Sequence, residues 1–338
     1  MVLRLFMLAA LVAWACTNVD PARADFQKAA SAFENGNFDE AADELSQEAA
    51  AGDPRAQALL GHILMDPAGT KHDLRKGWSL MTSAAEAGEP EAEFSLGIGY
   101  LVGVQDGDTV LLEKSEYRAL EYLEKAATQG IAEAHYGVGA LLGDVHDGGI
   151  GLSRVSVDEF TKARDGGFLL AGAVLAIHEV NSNSSLTDRQ KLDLLLKYQS
   201  DGYSAVMYAL GIFYEEGRGA AVNLMEALKW FVLADYFRDD AAPEKVNSLS
   251  SKLSEPERRF ARESVDRWLM DTARSTTGYY PIAARWCLVA EPGSLQCLKQ
   301  ARYDHSACHQ PYFPPFFENH YASKAYDICR RYWLNHPD

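Results

Sequence analysis

A six-residue pattern recurs along the middle of the chain and limits the fold more than any other feature. Ala56-Gln-Ala-Leu-Leu-Gly61, Ala92-Glu-Phe-Ser-Leu-Gly97, Ala134-His-Tyr-Gly-Val-Gly139, Ala171-Gly-Ala-Val-Leu-Ala176 and Val206-Met-Tyr-Ala-Leu-Gly211 align, with last positions 36, 42, 37 and 35 residues apart. A period of this size marks stacked supersecondary units, none of which buries its own apolar face. A second signature precedes the pattern. Ala84-Ala-Glu-Ala-Gly88, Ala126-Ala-Thr-Gln-Gly130 and Ala163-Arg-Asp-Gly-Gly167 each end four residues before the next unit opens, and Asp201-Gly202 keeps that spacing.

One unit shows the physics. Leu210, Gly211 and Tyr214 share a helical face. Gly217-Arg-Gly219 stops that helix, because glycine enters the left-handed conformation cheaply. Ala227, Leu228, Phe231 and Ala234 then form the apolar face of a second helix. Small residues at Gly211 and Ala227 let the two axes approach closely.

These residues resemble the Sel1-like repeat, a relative of the tetratricopeptide repeat: Ala-x-x-x-Leu-Gly-x-x-Tyr, a Gly-x-Gly loop, Ala-Leu-x-Trp-Phe and a closing Ala-x-x-x-Gly. Val206–Asp235 carries the pattern best, with Trp230-Phe231 as the aromatic pair, and residues 92–134 carry it with a longer loop. Residues 134–171 lack the Gly-x-Gly order and the aromatic pair. Residues 171–206 have Ala176 for Gly and Glu179 for Tyr. The resemblance covers about 56–240. It implies an all-α chain, a right-handed α-solenoid of helix-turn-helix repeats, to which the cysteine-bearing tail adds a small disulfide-stapled C-terminal appendage. The expected organisation is a signal peptide at 1–24, capping tetratricopeptide-like helices at 25–55 (with a turn at Gly36–Ala41), the array at 56–240, capping helices at 241–275 and a Cys- and aromatic-rich module at 276–338. Ser254-Glu-Pro-Glu257 is the start signal of a helix running through Met270.

Met1–Ala24 reads as a secretory signal. Arg4 precedes an eleven-residue apolar run, Leu5–Ala15, too short to span a bilayer, and Ala22-Arg-Ala24 supplies small residues before a cut at Asp25. The expectation is a periplasmic or secreted protein. The rival is a lipoprotein processed at Cys16, where Trp14 fits the required triplet poorly. No later apolar stretch is long enough for a membrane span.

Export gives the cysteines meaning. Cys287, Cys297, Cys308 and Cys329 remain after cleavage, and an even, clustered set in an oxidising compartment implies two disulfides. Three pairings are open. Short loops favour Cys287–Cys297 with Cys308–Cys329. Residues 279–338 hold 12 aromatics in 60, against 11% for the whole chain, and six of the 12 prolines. No family is evident in this tail.

Lys and Arg number 32 against 48 Asp and Glu, a formal charge of −16. That argues against nucleic acid and anionic lipid surfaces, whose binding needs clustered cations. If tetratricopeptide geometry carries over, the residue two before the repeat Leu or Val lines the groove: Ala58, Phe94, Tyr136, Ala173 and Tyr208. The residue after the repeat Gly faces it too: His62, Ile98, Ala140, Ile177 and Ile212. The candidate partner-binding set is Phe94, Tyr136, Tyr208, His62, Glu215 and Glu216, with aromatic anchors for a peptide. The competing reading is that these aromatics pack between adjacent helices.

Other polar clusters read as structural. His305, Cys308, His309 and Cys329 do not have standard zinc spacing, and oxidised cysteines bind no metal. Asp144, His146 and Asp147, and likewise Asp106-Gly-Asp108, read as turns rather than cation sites. Ser-x-x-Lys, Gly-x-Ser-x-Gly, His-Glu-x-x-His and phosphate loops do not occur, so neither enzyme nor cofactor is implied. The resemblance implies an adaptor: a periplasmic scaffold that binds a protein or peptide partner, in envelope signalling or secretion. The alternatives are an envelope enzyme acting on peptidoglycan or a β-lactam, with its chemistry in the tail, and an assembly subunit lipid-anchored at Cys16.

Overall fold

The computed structural model describes residues 37–65, 71–146, 149–200, 203–237 and 239–274, with Phe26, Lys28, Ala29 and Ala32 before them. The signal segment, Cys16, the turn residue Gly36, Asp147 and the module at 276–338, with its four cysteines, His305 and His309, lie outside the described residues. The contacts divide the chain into two units. Residues through Leu96 with Gln105–Glu113 form the first, and Gly97–Val104 with the residues from Lys114 onward form the second.

The first unit holds α1 (Phe38–Ala51), α2 (Pro54–Met65), α3 (Leu74–Glu86) and the beginning of α4 (Pro90–Val102). Proline at the first helical position costs no hydrogen bond, because that N–H has no partner in any helix. Asp53 caps α2 through the Arg55 and Ala56 amides at 2.9 and 3.1 Å. Asp73 caps α3 through Lys76. The core joins Ala41, Leu45 and Ala49 of α1 to Ala56, Leu60, Ile63 and Leu64 of α2. A short hairpin of β1 (Val104–Asp106) and β2 (Thr109–Leu112) comes after α4. Asp106 and Thr109 accept from the Arg75 guanidinium, so Asp106 is engaged by α3.

The second unit continues with α5 (Glu116–Thr128), α6 (Ala132–Leu142), β3 (Asp144–His146), β4 (Gly149–Gly151), α7 (Arg154–Asp165), α8 (Leu169–Ser182), α9 (Asp188–Lys197), α10 (Ser204–Glu216), α11 (Leu224–Tyr236), α12 (Ala242–Lys252) and α13 (Glu255–Arg274). Successive helices pack: α5 on α6, α6 on α7, and so on to α11 on α12, with α13 returning onto α11. The two hairpins are the departure from an all-helical reading. They occupy inter-helix loops, and β3 pairs antiparallel with β4, Val145 opposite Ile150. The helix expected from Ser254 opens there and runs to Arg274, four residues beyond Met270. At its start Glu257 accepts from the Ser254 amide at 2.8 Å.

Both sequence signatures have physical counterparts. The closing glycines Gly88, Gly130 and Gly167 have φ of 85°, 94° and 96°, and Gly52, which the signature does not include, has φ of 93° at the same spacing before Ala56. Each ends a helix in the left-handed conformation, and the next amide reaches back to a carbonyl five residues earlier, as Phe168 does to Ala163 at 2.9 Å. A side chain there would meet nothing within 4 Å, so the requirement is conformational. The repeat glycines meet a different demand. A Cβ on Gly97 would lie 2.7 Å from Leu123, on Gly139 3.3 Å from Phe160, and on Gly211 2.6 Å from Phe231. In each unit a large side chain of the second helix sits on the bare backbone of the first. Ala176 breaks the pattern, and the close contact there moves back one turn, to Gly172 beneath the Tyr198 ring, at 2.6 Å.

These two kinds of glycine separate by mutation. Gly211→Ala forces overpacking and should cost about 1–3 kcal/mol in urea unfolding, and Phe231→Leu in the same chain should recover part of it. Gly167→Ala should cost about 1–2 kcal/mol from its backbone conformation alone, with no recovery from Phe231→Leu. Recovery in both, or in neither, contradicts the assignment.

Candidate partner-binding surface

The structure sorts the expected groove residues by the element that packs next to them. Ala58, Phe94 and Ala173 are 4%, 2% and 0% exposed, and Tyr136 is 6% exposed. Ile98 and Ile177 are buried as well, whereas Ala140 and Ile212 are half-buried. Tyr136 lies edge-on to Phe160 at 5.1 Å and to Phe168 at 4.9 Å. Burial drives its hydroxyl well above the usual phenol range. Phe168 opens the next repeat, so the successor closes over the tyrosine. Phe94 and Tyr136 therefore pack in the interior, as aromatics at helical spacing usually do.

Tyr208 has a different successor. It stays half-buried, edge-on to Phe231 at 5.3 Å and 64°. Tyr208, Ile212 and Glu215 stand at i, i+4 and i+7 on α10, a single stripe. The element after α10 and α11 is the amphipathic α12, which contributes Lys245. Lys245 donates to Glu215 at 2.7 Å, and Lys252 approaches the other oxygen at 3.9 Å. The Glu215 bond raises the Lys245 pKa. Burial pushes the Tyr208 hydroxyl upward; Lys245 opposes this, and Asp239, Glu215 and Glu244 add to it. The Glu215 carboxylate thus ties α10 to α12, while Glu216 is exposed with Arg218 3.8 Å away.

His62 belongs to the first unit. It is half-buried, with its Nε2 3.5 Å from Ser95 Oγ. Of the six expected partner-binding residues, the second unit brings Tyr208, Glu215 and Glu216 together on α10.

The sequence does not reveal Lys245 or a second polar junction, between α6 and α7. His135 Nδ1 lies 2.6 Å from Glu159, with side chains 19% and 14% exposed. Lys162 donates to Glu159 at 2.7 Å and pairs with Asp158 at 2.9 Å. The His135–Glu159 and Glu215–Lys245 partners lie 24 and 30 residues apart in sequence, outside any local spacing rule. Among the described residues no group of three or more His, Cys, Asp or Glu side chains is placed to hold a metal ion. Nor is any described helix long and apolar enough to cross a membrane.

The Sel1 repeat family model matches residues 54–89, 90–131 and 204–234. Three Sel1 repeats are thus detected, and they correspond to α2–α3, α4–α5 and α10–α11. The solved structures agree on the fold. One is c5321, a protective antigen of uropathogenic Escherichia coli strains that displays an SLR fold (23% identity, TM-score 0.57, covering 73% of this chain and 53% of that one). Another is a Sel1 repeat protein from Oxalobacter formigenes (19% identity, TM-score 0.54, covering 70% and 95%). This chain thus spans about half the length of the first. No curated protein matches in sequence. Sel1 repeats generally act in protein–protein interaction, and proteins built from them are typically non-enzymatic scaffolds.

The α6–α7 junction makes a pH prediction. Burial acts to raise the Glu159 pKa, but hydrogen bonds from Lys162 and His135 hold it below the ordinary carboxylate range. Its ionised form therefore contributes stability above the unfolded pKa, and that contribution is lost as pH falls through the depressed folded value. Glu159→Gln should lower stability at neutral pH by about 1 kcal/mol and by progressively less as the pH falls through the depressed folded value. A deficit in urea unfolding that stays constant over that fall in pH contradicts this.

Proposed function

We propose that this chain is an exported interaction scaffold, a periplasmic adaptor for a protein or peptide partner in envelope signalling or secretion. The docking stripe is the Tyr208 face of α10. One observation carries the reading: at the groove-lining position the other four repeats hold side chains sealed by their surroundings, and the fifth holds a half-buried tyrosine beside exposed Glu216. A large ring with two rotatable side-chain bonds loses little entropy on binding, which makes Tyr an effective anchor. Its support is rigid, since Phe231 lies beneath the ring and Lys245–Glu215 pins the neighbouring helix. A preordered surface limits the entropy lost on association.

The experiment uses the exported protein in its native envelope. A photocrosslinking residue at Tyr208 should yield a discrete cross-linked protein, and one at Tyr117, 79% exposed on α5, should not. Tyr208→Ala should weaken capture of that protein by about 30-fold, the scale of an interface anchor. Equal labelling at both positions, or unaltered capture by Tyr208→Ala, contradicts the docking stripe. The mass of the mature chain tests the export route: an unmodified N-terminus at Asp25 supports the soluble form, and a lipid on Cys16 replaces it with an anchored one.

A further inference from the structure

We propose that the aromatic end of the second unit, at Phe237 and Trp268, is the seat of this chain's own segment 279–338. The inference starts from the α11–α13 seam. Ala261, Val265 and Trp268 recur at i, i+4 and i+7 on α13, and the first two are 1% and 6% exposed. Trp268 reaches Trp230 edge-on at 6.2 Å and Phe237 at 6.1 Å and 88°. Trp230 is sealed at 1% exposure, but Trp268 and Phe237 are only half-buried. A terminal helix of a repeat stack normally turns a polar face outward. Here two large rings stand partly open at its end, and apolar surface of that kind marks a contact site.

Two observations choose the occupant. The chain leaves α13 at Arg274, six residues past Trp268 and roughly 9 Å along the axis. The next segment is therefore tethered within reach of the rings, at an effective concentration on the order of millimolar. A second copy or a free partner has no such advantage. Composition matches too, since residues 279–338 carry aromatics at about twice the chain's 11%. So few residues rarely supply a sufficient core alone and gain from packing on a neighbour. Charge does not oppose the docking. Residues 275–338 hold six Lys and Arg against five Asp and Glu, a net of +1, so residues 1–274 carry −17 within the chain's −16.

The test uses the full exported chain. A photocrosslinking phenylalanine analogue at Phe237 keeps the ring and spares the fold. It should cross-link within one chain to peptides from 279–338. The same analogue at Phe260, 52% exposed near the start of α13, should not. In parallel, Trp268→Ala should accelerate proteolysis within 279–338 at least tenfold while helicity stays at the wild-type level. Cross-links from Phe237 to a second copy, to another protein or to residues before 275 overturn the proposal, and so does the absence of any cross-link. Unchanged proteolysis in a folded Trp268→Ala chain overturns it too, and if that variant fails to fold the Phe237 cross-link decides alone.

Discussion

The fold depends on one contact made repeatedly: a large side chain of a second helix resting on bare backbone in the first. Phe231 on Gly211, Phe160 on Gly139 and Leu123 on Gly97 are the three clearest cases, with Gly61 against Gly77 and Met81 in the first unit. Without a Cβ the helix axes come close enough for the larger side chain to lie flat against the backbone, and dispersion and burial both gain from the proximity. The contact also explains the tolerance for loop length. Gly211 and Phe231 are 20 residues apart, while Gly97 and Leu123 are 26 apart, and the additional length is taken up by the Val104–Leu112 hairpin. The contact fixes the helix pair and the loop adapts to it.

The same logic separates interior from surface. Side chains at one repeat position are buried or half-open according to the element that packs next. Tyr136 is covered because Phe168 and α8 come after it. Tyr208 keeps an open edge because its successor is the capping helix α12, whose nearest contribution is Lys245, already engaged by Glu215. The half-open tyrosine at the last matched repeat is therefore a consequence of where the repeats stop.

Much of this is legible in the sequence. The spacing of the Ala-x-x-x-Leu-Gly pattern places the helix pairs, including those between 132 and 197 that the family model does not match. There the fold persists because the requirement is a small residue somewhere on the facing turn, which Gly172 satisfies when Ala176 does not. Gly217 reads correctly as a stop, ending α10 in the left-handed conformation, because a positive φ leaves few alternatives. The site is less legible. Periodicity places a residue on a face but does not say whether the successor covers it, so Phe94 and Tyr208 look alike. Glu215–Lys245 and His135–Glu159 join residues on separate helices, a matter of packing that no local spacing encodes. The two hairpins read as turns because strands of three or four residues carry too little alternation to show.

The claim that Gly172–Tyr198 and Gly139–Phe160 make residues 132–197 full members of the stack is tested most directly by native-state hydrogen exchange resolved along the chain. Backbone amides of α6–α9 should exchange as slowly as those of α10 and α11, because each pair shares its interior with the next. Exchange of residues 132–197 at rates close to those of an unfolded peptide, with 204–236 still protected, would contradict the account.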